Sequence, residues 1–558
     1  MDFSQQSDVI TPSIRNSPID GQVFKKMIEA ALSWLRVNHQ LVNALNVFPV
    51  PDGDTGTNMV LTMQAAYDEI SNSGEPNVGK IAHAVAHGAL MGARGNSGVI
   101  LSQLLRGFAR ALDSQDLLDG PSLVRAFVMG RDTAYKGVVR PVEGTILTVA
   151  KDAASAAELA LINTQDPCEI FDQVVPAADQ SVQRTPELLA VLKEAGVVDA
   201  GGKGFYFILD GISRYINGLS LDVSATLVQP LSNMILENTR ESIEPGQDWE
   251  VVVDFSPTKP LDIPAFYHDL EQMGTSIQVG EGEGMYRMHI HVPEEKRNEP
   301  VEYTLRLGTV HKLSMENLVA QMAALGKSRE TPLEFETVRE GEIAVVAVSP
   351  GPGLARIFAN LHVSAIVEGG QTMNPSTQEI ISAFEKLPTK KIIVLPNNKN
   401  IILTAKSAAE LTDCEVRVIE TRSIPQGLEA MLRYVADGDL DQVFDEMSAV
   451  AADVVSGEIT KATRSVELNG VPVNEGEFIA LLNGNLVHAA PKLKDALFGF
   501  LDKAEVENYE LVTLFYGADL TKPEVDSLAE AIQEVYPNLE TEIHEGGQPH
   551  YQLIISIV

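Results

Sequence analysis

The sequence predicts a multidomain protein: an all-α domain, then a small α+β domain, then an α/β domain with a parallel sheet. Three observations carry that expectation. From Asp20 to about Leu221 apolar residues recur at helical spacing, and few stretches alternate as strands do. From Trp249 the texture changes to short alternating runs with helical pieces between them. From Glu342 nearly continuous apolar runs take turns with helices, which is how strands buried on both faces and joined by crossover helices read. A chain of 558 residues also exceeds one core, at about 100–200 residues per domain.

Residues 1–20 are polar and lack an apolar run, so they read as a flexible tail and not as a signal peptide. The first domain is expected over 21–225. Asp20 is placed to cap a helix whose apolar positions include Val23, Met27, Ala30, Ala31 and Trp34. A helical pattern follows Asp54 through Val60, Met63, Gln64 and Tyr67. Another helix runs through Ile81–Met91, and a glycine-rich loop, Gly92–Gly98, interrupts it. The helix resumes over Val99–Leu112, with Asn96 or Ser97 positioned as its cap. Further helices fit Ser122–Gly137, Thr145–Leu161, Ile170–Thr185 and Leu188–Ala195.

Residues 226–247 are polar, end in Glu-Pro-Gly and read as a linker. The middle domain is expected over 248–330. Its strands are Trp249–Phe255, Thr275–Val279 and Tyr286–Val292, and its helices Pro260–Met273 and Val301–Gly308. The third domain is expected over 340–558. Strands Ile343–Val348, Ser364–Val367, Lys391–Leu395 and Glu415–Glu420 each precede a turn and a helix, and Ser376 with Glu379 forms a capping box. A second α/β piece follows from about Val471, through Glu510–Phe515 and the final strand Tyr551–Val558.

Composition removes several function classes. A net charge of −35 disfavours nucleic acid or an anionic membrane as the main partner, since each needs clustered Lys and Arg. The two cysteines, Cys168 and Cys414, lie far apart without CxxC spacing. That excludes a disulfide framework or a Cys-rich zinc site and fits a reducing cytoplasm. No segment reaches the roughly 18 apolar residues of a membrane span, so stable membrane insertion is not expected.

Four loops in the first domain carry chemistry. In Leu45–Met59, Asp52 and Asp54 flank a glycine on a tight turn, and paired carboxylates are hard oxygen ligands that suit Mg²⁺. Asn46 offers a neutral oxygen to the same ion. Gly56 lets a phosphate approach the backbone, and Thr55, Thr57 and Asn58 offer hydrogen bonds to phosphate oxygens. In Gly92–Gly98 the free N–H groups and helix dipole behind Gly95, Asn96, Ser97 and Gly98 suit an anion, with Arg94 added for developing phosphoryl charge. The Gly-Lys-Ser/Thr ending of a Walker loop is absent. Pro141–Ile146, with Thr145, and Gly196–Gly204, with Asp199 and Gly201, place small and polar residues at helix starts or turns. Together the loops read as a site for a metal–nucleotide complex, and hence for phosphoryl transfer.

These motifs resemble the bacterial fatty acid kinase family, in its ATP-binding component, which carries at its N-terminus a domain similar to the L-type nucleotide-binding component of dihydroxyacetone kinase (DhaL-like). Three C-terminal stretches, Val367–Ser376, Leu395–Ile401 and Gly546–His550, also look like this family, and the likeness spans about Gly21 to Val558. The resemblance implies a helical barrel that binds ATP, with Mg²⁺ held by Asp52 and Asp54 at its mouth. Asn46 stands where the dihydroxyacetone kinase component has a further aspartate. It implies that Gly95–Gly98 holds phosphates and that Thr145 and Asp199–Gly201 border the nucleotide. It implies phosphorylation of the carboxylate of a fatty acid carried by a separate DegV/FakB-type acyl-binding protein, giving an acyl phosphate. A DegV-like C-terminal domain is implied to dock that protein, and a homodimer is implied for the whole. Some members hold zinc with a Cys and a His-x-His pair in the middle domain. Here His289 and His291 share one strand face, and Glu250, a poorer ligand, stands in the Cys position.

A fatty carboxylate is already ionised near pH 7, so it needs no general base. Two other readings stay open at this point. One is a small polyol or ketone kinase, although no domain holding substrate covalently through a histidine can be placed. The other is a regulatory protein binding an anionic ligand or lipid at the switch-point loops of the α/β domain.

Overall fold

The computed structural model describes residues 15, 17–46, 53–221 (except 114 and 139), 229–230, 249–317 (except 260, 262, 283 and 284) and 333–558 (except 334, 336, 372, 463, 464 and 469). Asp52, most of the expected tail and most of the expected linker lie outside the described residues. The chain divides into two compact units, one combining residues up to Leu221 with Leu333–Val558 and one of Asp222–Pro332.

The helical part of the first unit contains α1 (Gly21–Ala44), α2 (Thr55–Ser71), α3 (Val78–Met91), α4 (Gly95–Ala111), α5 (Gly120–Gly137), α6 (Ile146–Ala160), α7 (Pro167–Leu188), α8 (Ala190–Ala195) and α9 (Ala200–Asn217). Successive helices pack side by side, and α7 and α1 both pack on α9, so the ring closes into a barrel. Its apolar interior includes Phe24, Met27, Met63, Leu104, Phe127 and Ile208. Asp20 accepts from the Gln22 and Val23 N–H groups, the cap that the sequence predicts. The start of α4 differs from expectation. Its cap is Arg94, in extended conformation and without a side-chain bond to the helix, and Asn96 and Ser97 lie inside the first turn. Gly95, at φ +58°, permits the entry that a capping side chain otherwise secures.

The α/β part of the same unit holds two sheets. In the first, β6 (Ile343–Ser349), β7 (Ala365–Glu368), β8 (Lys391–Leu395) and β9 (Glu415–Val418) run parallel in the order β7-β6-β8-β9. Helices α12 (Pro352–Asn360), α13 (Thr377–Glu385) and α14 (Ile402–Glu410) make the crossovers, and α15 (Ile424–Met431) follows the last strand. Every residue of β6 is buried, as its unbroken apolar run requires. Ser376 and Glu379 form the expected capping box.

After α16 (Leu440–Asp453) comes the second sheet, of β10 (Val455–Lys461), β13 (Phe478–Leu482), β14 (Asn485–Ala490), β15 (Leu511–Tyr516), β16 (Glu540–Glu545) and β17 (Tyr551–Ile557). The hairpin β11 (Val466–Leu468) and β12 (Val471–Val473) lies in its β10–β13 connection. This sheet begins at Val455, earlier than expected, and is mixed. β17 inserts antiparallel between β10 and β15, and only β15 and β16 are parallel. Helices α17 (Leu493–Lys503) and α18 (Lys522–Val535) complete the chain.

The middle unit is a sheet in the order β1-β3-β4-β2-β5, made of β1 (Gln229–Pro230), β2 (Trp249–Pro257), β3 (Thr275–Gly282), β4 (Met285–Val292) and β5 (Gly308–Asn317), with α10 (Ile263–Glu271) and α11 (Glu299–Leu307). Val251, Val253, Phe255, Met288 and Ile290 form its core with Phe266 and Leu270. Strand β5 went unread in the sequence. It lies at the sheet edge, none of its residues is fully buried, and its apolar alternation is weak.

Candidate active site

Asp54 ends the glycine turn and immediately precedes α2, yet its carboxylate makes no cap bond to that helix. Asn43, near the end of α1, takes the capping role. Its Oδ1 accepts from the Gly56 and Thr57 N–H groups at 2.7 and 3.2 Å, and its Nδ2 donates to the Thr57 hydroxyl at 3.0 Å. Two of the N–H groups that the sequence offers to phosphate are therefore satisfied within the protein. Gly56 is small for another reason than phosphate approach: a Cβ there would lie 2.3 Å from the His39 carbonyl oxygen, so α1 and α2 touch through it. Asn43 escaped the sequence reading because nothing in a helix end announces a cap for a different helix.

Asp54 is 6% exposed and Asn58 5%. Asn58 faces the start of α4, since a Cβ on Gly95 would come within 2.8 Å of its amide nitrogen. One turn on, a Cβ on Gly98 would meet the Thr62 hydroxyl at 2.4 Å. Helices α2 and α4 thus converge on Asp54, Thr55, Asn58 and Gly95–Gly98. In the first turn of α4, Asn96 and Ser97 carry N–H groups beyond the reach of any intrahelical acceptor.

Thr145 and Asp199 form a second cluster. Thr145 caps α6 by accepting from the Leu147 N–H, and its hydroxyl donates to the Val142 carbonyl at 2.8 Å. Asp199 caps α9, accepting from the Gly202 N–H at 2.6 Å, and also accepts from the Ile146 N–H at the start of α6. Burial pushes its carboxyl up to about 6 against those two backbone bonds. Gly201 lies beside it, with room for a Cβ only at 3.4 Å from the Asp199 carboxylate and from Ile146. The two clusters are joined through α9, where Gly204 packs on Met59 of α2.

Arg94 does not reach into this cup alone. Its guanidinium donates to the Asn374 carbonyl at 2.9 Å and pairs with Glu379 at 3.0 Å, both in the α/β part. Burial raises Glu379, but the Ser376 N–H and Arg94 more than offset it, and the carboxyl sits below the usual range. The Thr377 N–H bonds the Ala93 carbonyl at 3.2 Å, and Asn96 Nδ2 donates to Asn400 Oδ1 at 3.3 Å. Asn374 Nδ2 donates to Asp54 at 2.5 Å. The positive charge expected at the phosphoryl group is therefore already matched by a carboxylate. Asn46 is half-buried just past the end of α1.

In the middle unit, Glu250 of β2 stands directly opposite His291 of β4, with His289 on the same face. Their donor atoms lie within 4.8 Å of one another, and Glu250 Oε1 meets His289 Nε2 at 2.8 Å. The hydrogen bond from His289 holds the Glu250 carboxyl low despite burial. Two nitrogens and one carboxylate oxygen suit a zinc ion, so the residues fit the group.

The family models that match this chain place it among kinase-related proteins. Family models match three segments: the DAK2 domain at 49–214, the middle domain of FakA-like fatty acid kinase proteins at 244–325, and their C-terminal domain at 344–557. Curated proteins from Staphylococcus aureus strains USA300 and MRSA252, both described as uncharacterized, are each 38% identical over 550 residues, covering 97% of this chain and 100% of theirs. The chain belongs to the FakA-like fatty acid kinase family, with an N-terminal DhaL-like domain. Among solved structures, a DegV family protein of Corynebacterium glutamicum is 13% identical with a TM-score of 0.31, covering 39% of this chain and 96% of its own. The dihydroxyacetone kinase of C. freundii in complex with AMP-PNP and Mg²⁺ is 16% identical with a TM-score of 0.28, covering 38% of this chain and 36% of its own. The linoleic acid-loaded fatty acid kinase B3 protein of Streptococcus pneumoniae is 12% identical with a TM-score of 0.27, covering 38% and 98%. Among the described residues no helix is long and apolar enough to cross a membrane.

Proposed function

We propose that this protein transfers the γ-phosphoryl group of ATP to the carboxylate of a fatty acid held by a separate DegV-type acyl-binding protein, giving an acyl phosphate. The observation that supports this most is the buried Asp54 carboxylate beside the glycine-bordered start of α4, in a chain of this family. ATP would supply the transferable group, and a bound Mg²⁺ would offset its negative charge. Asp54, with Asp52 and Asn46, orients the cation. Thr55, Asn58, Ser97 and the first-turn N–H groups of α4 hold phosphate oxygens, while Thr145, Asp199 and Gly201 border the nucleotide. The acceptor carboxylate arrives ionised, so the residues position and stabilise charge and need not remove a proton.

The reading carries with it a homodimer acting in the cytoplasm, without nucleic acid or membrane insertion. It also takes Glu250, His289 and His291 as the residues that would hold a zinc ion in the middle unit. The test of the acceptor is direct. Full-length protein is given γ-labelled ATP with either a fatty acid-loaded DegV-type protein or dihydroxyacetone alone. Label in an acyl phosphate with the first and none with the second is expected. Label on dihydroxyacetone would move the protein to polyol kinases.

A further inference from the structure

We propose that Asn374, which lies in the α/β part of the chain, is a positioning residue of the phosphoryl-transfer site. Its amide N–H holds the Asp54 carboxylate, and its amide oxygen faces the cation–phosphate complex. This rests on the reading of Asp54 as a cation ligand.

Asn374 is 1% exposed, and its Nδ2 donates to Asp54 Oδ2 at 2.5 Å. A carboxylate only accepts, so the amide must present its NH₂ to Asp54 and its Oδ1 elsewhere. That Oδ1 is buried and has no hydrogen-bond partner among the described residues. Buried acceptors are rarely left unpaired, and an orphan oxygen beside a carboxylate read as a cation ligand fits the ligand set of a metal site. An amide oxygen is a hard neutral ligand that suits Mg²⁺ without repelling phosphate, as a further carboxylate would.

The placement is over-determined. The Asn374 carbonyl is held by Arg94 at 2.9 Å, and the Thr377 N–H bonds the Ala93 carbonyl at 3.2 Å. The capping box of Ser376 and Glu379 fixes the loop behind it. Gly95 leaves the space open, because a Cβ there would sit 2.8 Å from Asn58 Nδ2 and 3.6 Å from Asn374 Nδ2. The α/β part is thereby a wall of the site as well as a platform for a partner.

The test is titration of the full-length chain with Mn²⁺, read by loss of the free-ion electron paramagnetic resonance signal, with ATP turnover against Mg²⁺ measured separately. Asp54→Asn, Asn374→Ala and Asn374→Asp are compared with wild type, with thermal unfolding as the control for folding. Asn374→Ala is expected to weaken Mn²⁺ binding about five-fold or more and to raise the Mg²⁺ needed for half-maximal ATP turnover in parallel. Asn374→Asp keeps an oxygen ligand and is expected to bind Mn²⁺ at least as tightly as wild type. A merely structural role predicts the reverse, since a carboxylate there repels Asp54. Wild-type Mn²⁺ affinity in Asn374→Ala together with weakened binding in Asp54→Asn overturns the inference and leaves the Asp54 reading standing. Unchanged affinity in Asp54→Asn overturns that reading itself. Tighter binding or faster turnover in Asn374→Ala makes Asn374 a latch that withholds Asp54, and also overturns it. If Asn374→Ala does not fold, the Asn374→Asp titration decides.

Discussion

Arg94, the residue before α4, pairs at 3.0 Å with Glu379 in the first turn of α13. This ion pair ties the start of a candidate phosphate-binding helix to the α/β part of the chain. Half of the Glu379 side chain is open to water, so solvent screening leaves the pair about 0.2–1 kcal/mol. Because Glu379 is held below its ordinary value of 4.5, that contribution is present above about pH 4.5 and is lost as pH falls through the folded value. Glu379→Gln is therefore expected to lower the unfolding temperature at pH 7 and to match wild type in acid. A difference that does not change with pH contradicts the pairing.

Asn43 is expected to matter to α2 more than its position in α1 suggests. Asn43→Ala strips the cap from the Gly56 and Thr57 N–H groups and is expected to cost about 1 kcal/mol of stability. Gly56→Ala drives a methyl group into the His39 carbonyl and is expected to cost about 1–3 kcal/mol. Chemical denaturation of both variants checks this. A neutral Gly56→Ala would show that α1 and α2 do not close as described.

Asp199 titrates in the opposite sense to Glu379. Burial raises its folded value to about 6 from 3.8, so folding favours the neutral acid. Well below pH 3.8 neither state is ionised. As pH rises toward about 6 the unfolded chain ionises first, and stability falls by at most about 2–3 kcal/mol. Asp199→Asn cannot ionise. Its unfolding temperature is expected to gain on wild type between pH 4 and about 6 and to hold that gain above. A gap that stays constant with pH contradicts the burial argument. A carboxylate kept at such a cost fits a residue bordering a ligand.

The middle unit offers a metal test independent of the kinase reaction. Zinc is expected to raise the unfolding temperature of wild type and to leave His289→Ala and His291→Ala unmoved. Equal shifts in all three proteins would place the ion elsewhere.

Local signals were legible in the sequence and distant ones were not. The Asp20 cap, the Ser376–Glu379 box and the buried run of β6 each lie within a few consecutive residues, and the structure has all three. The turns ahead of α4, α6 and α9 were also readable, because glycine, Asp and Thr mark turns and helix starts. What failed depends on contacts between segments. Asn374 and Asp54 are 320 residues apart, and Asn43 and Gly56 are 13 apart on different helices. Asn96 and Ser97 looked like caps, but the left-handed Gly95 moved the helix start ahead of them. The pairing of Arg94 with Glu379 could not be read either, because Glu379 lies in another part of the chain.

The central claim is that Asp54 anchors phosphoryl transfer to a fatty carboxylate. Its most direct test traps the product with hydroxylamine after wild type and Asp54→Asn are mixed with ATP, Mg²⁺ and a fatty acid-loaded DegV-type protein. Wild type is expected to yield acyl hydroxamate in step with ADP, and Asp54→Asn at least about a hundred-fold less, the loss of roughly 3 kcal/mol of transition-state stabilisation. Equal hydroxamate from both proteins, or ADP without hydroxamate from wild type, would contradict it.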